Sequence, residues 1–155
     1  MNPFLIDAMQ EIKRVDHLVY VSLKYTRTVD VIKSVIDRVI NAFDCIINAL
    51  LGNLEEKKII SDIPTSPGLK IGLLQKHLKD EIELQKYLEL YLTLRKIARC
   101  DYTKREEYRR HVTMIAALDD GNIIDVDIDL SNEYYETTKS FLTYARDFIY
   151  GKKNE

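Results

Sequence analysis

Glycine and proline are scarce, with 5 Gly and 3 Pro in 155 residues. An all-β fold consumes turn residues in number, so this scarcity predicts long helices. Cysteine is nearly absent too. Cys45 and Cys100 stand far apart and form no Cys-x-x-Cys pair, which argues against a disulfide framework or a cysteine zinc site. Cys45 falls within an apolar helical pattern and reads as a buried free thiol. A strong net charge is missing as well. At −2 overall, no whole-protein field draws the chain to nucleic acid or to a membrane, so any nucleic-acid site must be a local patch. No run of about 20 uncharged apolar residues occurs, and no transmembrane helix is expected. The opening residues Met1, Asn2, Pro3, Phe4, Leu5, Ile6 and Asp7 lack a basic n-region, so no signal peptide is expected and the cytoplasm is the default. No Walker loop, Rossmann glycine pattern, His-Glu-x-x-His or nucleophile elbow is present. No metal or cofactor is expected.

What is present is aliphatic periodicity. A chain of this length buries roughly 70% of its unfolded surface, and one domain over 1–150 is expected, with a disordered tail at 151–155. Pro3 suits a first helical turn with Asn2 as its cap. Leu5, Met9, Ile12, Val15, Leu18, Val19 and Leu23 then recur at helical spacing up to Tyr25. Val29, Ile32, Val35, Ile36, Val39, Ile40, Phe43, Ile46, Ile47, Leu50 and Leu51 give the strongest helical face. It ends at Gly52 and Asn53 or continues through Glu56, and the join around Thr26, Arg27 and Thr28 is either continuous or broken. Residues 61–68, with Pro64, Pro67 and Gly68, form a loop.

A third helix is expected over 69–99, using Leu74, Leu78, Ile82, Leu88, Tyr91, Leu92 and Ile97. Thr103-Lys104-Arg105-Glu106 matches a capping box, which predicts a fourth helix over 104–118. A turn at 119–122 follows. Ile124, Val126, Ile128 and Leu130 alternate with acids, so 123–130 reads as an extended segment without a strand partner. Ser131 caps a last helix, with Leu130 and Tyr135 as its hydrophobic staple. The expected fold is therefore all-α: an antiparallel up-and-down bundle of four to five helices with one short extended segment near 123–130.

Residues 95–111 hold seven cations, Arg95, Lys96, Arg99, Lys104, Arg105, Arg109 and Arg110, against Asp101, Glu106 and Glu107. Such a cluster in a slightly acidic chain is a local anion site or a solvated helix face with ion pairs such as Glu106–Arg110. Tyr102 and Tyr108 within it can stack on bases. Histidine moves protons near neutral pH, and arginine holds phosphate oxygens bidentately. The pair Arg105 and His111 could thus cleave RNA through the neighbouring 2′-hydroxyl without a metal. On an ideal helix, six positions leave them about 120° apart. His17 and His77 lie in amphipathic helices without ligand partners at i+4 and read as structural.

A long apolar helical pair, a loop, a third helix and Arg-x5-His on a fourth resembles the HEPN (higher eukaryote and prokaryote nucleotide-binding) family. The stretch 14–51 resembles the first helical hairpin of such domains. The resemblance implies a small all-α dimer, often a metal-independent endoribonuclease of toxin–antitoxin or defence systems. On that basis Arg105 and His111 are catalytic, while Arg99, Lys104, Tyr108, Arg109 and Arg110 bind RNA. Active members often carry Asn, Asp or His directly after the Arg, and this chain has Glu106. The implied partners are RNA or a nucleotide, a second copy of the chain, and a cognate protein. The alternative is a non-catalytic helical protein-interaction module.

Asp125, Asp127, Asp129, Glu133 and Glu136 fall at EF-hand positions 1, 3, 5, 9 and 12, but Leu130 replaces the turn glycine and Asn132 the aliphatic residue. They read as an exposed acidic face, or as partners of the basic cluster in a second subunit.

Overall fold

The computed structural model describes residues 2–151. It is mostly helical, with a small antiparallel sheet that the sequence reading lacks. The elements are α1 (Pro3–His17), a π-helical turn (Leu18–Ser22), α2 (Leu23–Tyr25), α3 (Val29–Glu56), α4 (Pro67–His77), α5 (Ile82–Arg99), β1 (Asp101–Arg105), β2 (Thr113–Ala117), β3 (Ile123–Val126) and α6 (Ile128–Tyr150). Apart from Gly151, the expected disordered tail lies outside the described residues. No helix among the described residues is long and apolar enough to cross a membrane.

Asn2 caps α1, its Oδ1 accepting from the Phe4 N–H at 2.8 Å, with Pro3 behind it. In α1 the buried positions are Leu5, Ala8, Ile12 and Val15. They continue as Val19 and Leu23, in two steps of four. In an α-helix each such step drifts about 40°. The π turn, with more residues per turn, holds Val15, Val19 and Leu23 on one face. The first two long helices are broken at 26–28, where Thr28 is extended and its Oγ1 accepts from the Val31 N–H at 3.3 Å.

The central element is α3, which touches α1, α4, α5, α6 and β2. It runs to Glu56, so Gly52 does not end it. Asn2 N–H donates to the Tyr150 hydroxyl and the Tyr135 hydroxyl to Asp16, so the start of α1 lies beside the end of α6 and the end of α1 beside its start. Tyr144 reaches Glu81, and Tyr87 stacks on Phe141 at 4.6 Å, which sets the start of α5 against the later part of α6. Phe43 of α3 meets Phe141 at 4.9 Å, joining the three helices in one aromatic core.

Two expected helices are corrected. The helix over 69–99 is two helices, α4 and α5, separated at 78–81. The Leu78 carbonyl accepts from the Glu81 N–H at 3.0 Å and from Gln85 Nε2 at 2.9 Å. Its assumed apolar row fails here, because Ile82 is 72% exposed and the core row of α5 runs through Leu84, Leu88, Tyr91, Leu94 and Ile97. The helix over 104–118 is absent. Residues 101–105 and 113–117 pair as antiparallel strands, with Thr103 opposite Ile115 and Arg105 opposite Thr113. Val112, Met114, Ala116 and Leu118 are buried at period two, the periodicity of a strand.

The extended segment therefore has a partner. β3 pairs with β2 through Met114–Val126 and Ala116–Ile124, after the turn at Leu118–Asn122 with Gly121 at φ +88°. It is also shorter than expected, since Asp127 starts the last helix. Asp127 Oδ1 accepts from the Leu130 N–H at 2.8 Å, so Asp127 rather than Ser131 is the cap; Ser131 is buried in the first turn and donates to the Asp127 carbonyl.

The tyrosines carry a pH consequence. Burial first, then hydrogen bonds to carboxylates, raise the pKa of Tyr87 (Glu83), Tyr91 (Asp44), Tyr135 (Asp16) and Tyr144 (Glu81). Burial pushes Tyr134 up to about 12. An acid whose folded pKa is raised favours the folded state below its unfolded value, near 10 for tyrosine, and that contribution falls as the pH rises further. Titration followed at 295 nm should show these five ionising only with unfolding, above the ordinary tyrosine range. Smooth ionisation of these five near pH 10 with the fold intact would contradict these environments.

Candidate functional site

The β1–β2 loop, 106–112, is fixed rather than loose. Glu106 and Tyr108 take positive φ, +53° and +66°, a conformation that costs a non-glycine side chain about 1–2 kcal/mol. Two contacts hold it there. The Tyr108 N–H donates to the Arg27 carbonyl at 2.6 Å, and Glu107 Oε2 accepts from the Val29 N–H at 3.1 Å, satisfying an orphan donor at the start of α3. The Glu106 carbonyl accepts from the Arg109 N–H, and the Arg109 carbonyl from the Val112 N–H, each at 3.1 Å. The loop tip thus sits on the break between α2 and α3. Glu106 is a turn residue here, so the expected capping box with Thr103 does not form.

This docking creates an open cleft of about 510 Å³, lined by Arg27, Arg105, Glu106, Arg110, His111, Thr113, Asp127, Ile128 and Asp129. Arg105 ends β1, and its neighbour across the ladder is Thr113, two residues after His111. Both expected catalytic residues therefore border one cleft, Arg105 from the end of β1 and His111 from the loop that follows it. The 120° divergence of a helix does not apply. His111 is exposed, and its carbonyl accepts from the buried Thr113 hydroxyl at 2.9 Å.

The cleft has mixed charge. Arg105 is paired with Asp125 at 3.4 Å, both half exposed. Asp127 is committed to capping α6. Arg110 and Arg27 have no carboxylate at ion-pair distance among the described residues. The Arg27 Nε is buried and has no acceptor there, a condition that costs about 1–3 kcal/mol when nothing compensates.

The remaining expected RNA-binding residues scatter. Lys104 is next to Arg105 on the strand and points the other way, to Asp30 at 3.7 Å and Glu107 at 3.5 Å. Tyr108 stands at the loop tip, 78% exposed. Arg109 is exposed beside it. Arg99, at the end of α5, donates to the Arg95 carbonyl and borders a separate depression with Lys96, Cys100, Asp119 and Asp120. Arg27 was missed by sequence reasoning. It is a lone cation between two threonines, and only the break at 26–28 hinted that it could leave a helix face. Of the acids over 125–136, Asp125 pairs with Arg105, Asp127 caps α6 and Glu136 pairs with Lys139. No group of three metal-ligating side chains occurs among the described residues. Cys45 is a half-buried thiol that burial, then Asp7, Glu11 and Asp44, push up to about 11.

The chain matches no family model, and no curated protein and no solved structure resembles it at a significant level.

Opposite effects are expected from two neighbours in the loop. Glu107→Ala removes a cap-type hydrogen bond from α3 and should lower stability by about 1 kcal/mol. Tyr108→Gly relieves a positive φ and should leave stability unchanged or raise it by up to about 1 kcal/mol. Urea unfolding of both variants reads this directly, and a large loss for the glycine variant would mean that the tyrosine ring supports the fold.

Proposed function

We propose that this chain is a HEPN-like RNA- or nucleotide-binding domain whose Arg-x5-His lies on a β-hairpin instead of the fourth helix, with Arg105 and His111 as the reacting pair of a metal-independent endoribonuclease. The observation that carries the reading is the meeting of these two side chains on one open cleft. In this reading the helices form an antiparallel up-and-down bundle around α3, which the pairing of α1 with α6 and of α5 with α6 supports. The domain acts in the cytoplasm as a homodimer.

Chemically, His111 takes the proton of a ribose 2′-hydroxyl, whose oxygen attacks the adjacent phosphorus. The bond to the 5′-oxygen breaks, leaving a 2′,3′-cyclic phosphate, and the departing oxygen takes the proton from the His111 imidazolium formed in the first step. Arg105 leaves Asp125 to stabilise the charge on the non-bridging oxygens. Arg109 and Arg110 hold flanking backbone, with Lys104 and Arg99 adding longer-range attraction, and exposed Tyr108 stacks on a base.

One observation favours the second reading, a non-catalytic protein-interaction module. Beside α4 lies an apolar depression of about 600 Å³ bordered by Ile59, Pro64, Leu69 and Leu73, with Leu69 63% exposed.

His111→Ala should reduce cleavage of single-stranded RNA by roughly 10²–10⁴-fold, the usual contribution of one acid–base group. The circular dichroism spectrum and RNA affinity should stay unchanged, and wild-type cleavage should continue in EDTA. RNA binding should weaken steeply with salt. Protein that neither binds nor cuts RNA at low salt would leave the interaction module as the function.

A further inference from the structure

Arg27, like Arg110, is a cation of the cleft without a carboxylate at ion-pair distance among the described residues. Its position is set by the main chain, since the break at 26–28 takes it off the helices and its carbonyl receives the Tyr108 N–H at 2.6 Å. The side chain is half buried in the cleft wall. Its Nε is the one donor among the described residues' buried side-chain atoms that lacks an acceptor. Four other arginines are served within the fold: Arg14 and Arg38 by Glu11, Arg105 by Asp125, and Arg99 by the Arg95 carbonyl. The Nε is covered by the protein, so an anion in the open cleft meets the terminal N–H groups of the same guanidinium and neutralises its charge there.

The surroundings narrow the ligand. Arg110 and His111 share the cleft with Arg27, while Glu106 and Asp129 border it as carboxylates. Those acids disfavour a second phosphate beside them and accept hydrogen bonds from hydroxyl or amino groups. A phosphate next to a sugar or base fits this arrangement better than a dense polyanion does.

We propose that Arg27 is the phosphate anchor of the cleft, gripping one phosphate group of a ribonucleotide chain and so positioning it between Arg105 and His111. The inference rests on the RNA-binding reading for the identity of its ligand, and on Arg27 itself for the anion site. In this role Arg27 is a positioning residue that supplies binding throughout the reaction.

The test uses the full chain labelled with ¹⁵N. Titration with inorganic phosphate, then with adenosine 5′-monophosphate, should move the Arg27 Nε–H resonance along a saturable single-site curve. That resonance is assigned by its loss in Arg27→Lys. Binding of a short single-stranded RNA should weaken about 10–100-fold in Arg27→Gln, the range for a lost charge-assisted hydrogen bond. It should weaken less in Arg27→Lys, which keeps the charge without the planar fork. Both variants retain the main-chain carbonyl that receives Tyr108, and Lys13→Gln on the outer face of α1 serves as control. If RNA binds the wild type and Arg27→Gln equally, the anchor is refuted while RNA binding stands. If phosphate moves the Arg27 signal but RNA neither binds nor is cut, the anion site stands and the RNA reading falls. A resonance unmoved by phosphate, nucleotide and RNA alike overturns the anchor whatever the cleavage result.

Discussion

Two hydrogen bonds between the β1–β2 loop and the start of α3 hold the candidate site together. The Arg27 carbonyl takes the Tyr108 N–H, and the Glu107 carboxylate takes the Val29 N–H. Both groups at the helix end need a partner in any case. A helix start presents unsatisfied donors, and a non-helical break presents a free carbonyl. The loop supplies both, and accepts two left-handed residues to do so. Because α3 is the element on which the other long helices rest, the loop inherits the rigidity of the core. Arg105 and His111 then border one cleft on a hairpin whose tip is fastened, and Arg27 is carried to the same place by the segment that fastens it.

The helical part was legible because its signals are long and redundant. The face of α3 from Val29 to Leu51 repeats over many turns, so one misfit residue changes nothing. The α1 cap was legible for a different reason, since Asn2 followed by Pro3 has a mechanism at each position. The long helix assumed over 69–99 failed because Leu74, Leu78 and Ile82 keep spacing four by coincidence, and only tertiary packing reveals that Ile82 faces water. Local pattern alone could not separate one helix from two.

The hairpin was missed through a competition between two local codes. Thr103-Lys104-Arg105-Glu106 satisfies a capping box, which asks for only two residue types and occurs often in charged sequence. Against it stood only Met114 to Leu118, a continuous apolar run that suits helix or strand, since the alternate burial of Val112, Met114, Ala116 and Leu118 appears first in the structure. A lone extended segment leaves its main-chain groups unpaired. That accounting would have demanded a second strand, and 112–118 was the nearest candidate. The paired residues Arg105 and His111 were found through their chemistry before their geometry was known. Arg27 had no such signal, because nothing local distinguishes it and its neighbours in space are about eighty positions away in sequence.

The widened turn at Leu18–Ser22 has a bearing on the distant cleft. It acts as a phase adjuster within the first helical run. Carried on as ordinary α-helix, the chain would swing Leu23 about 80° round from Val15, towards the edge of the buried face. The exit at Thr26 would turn with it, and with the exit the direction in which Arg27 leaves the backbone. A single inserted or deleted residue in this turn would therefore act as a rotation of the cleft wall, leaving every cleft residue in place by identity while re-aiming one of them. Helix register, set a few residues before Arg27, is part of how the cleft is aligned.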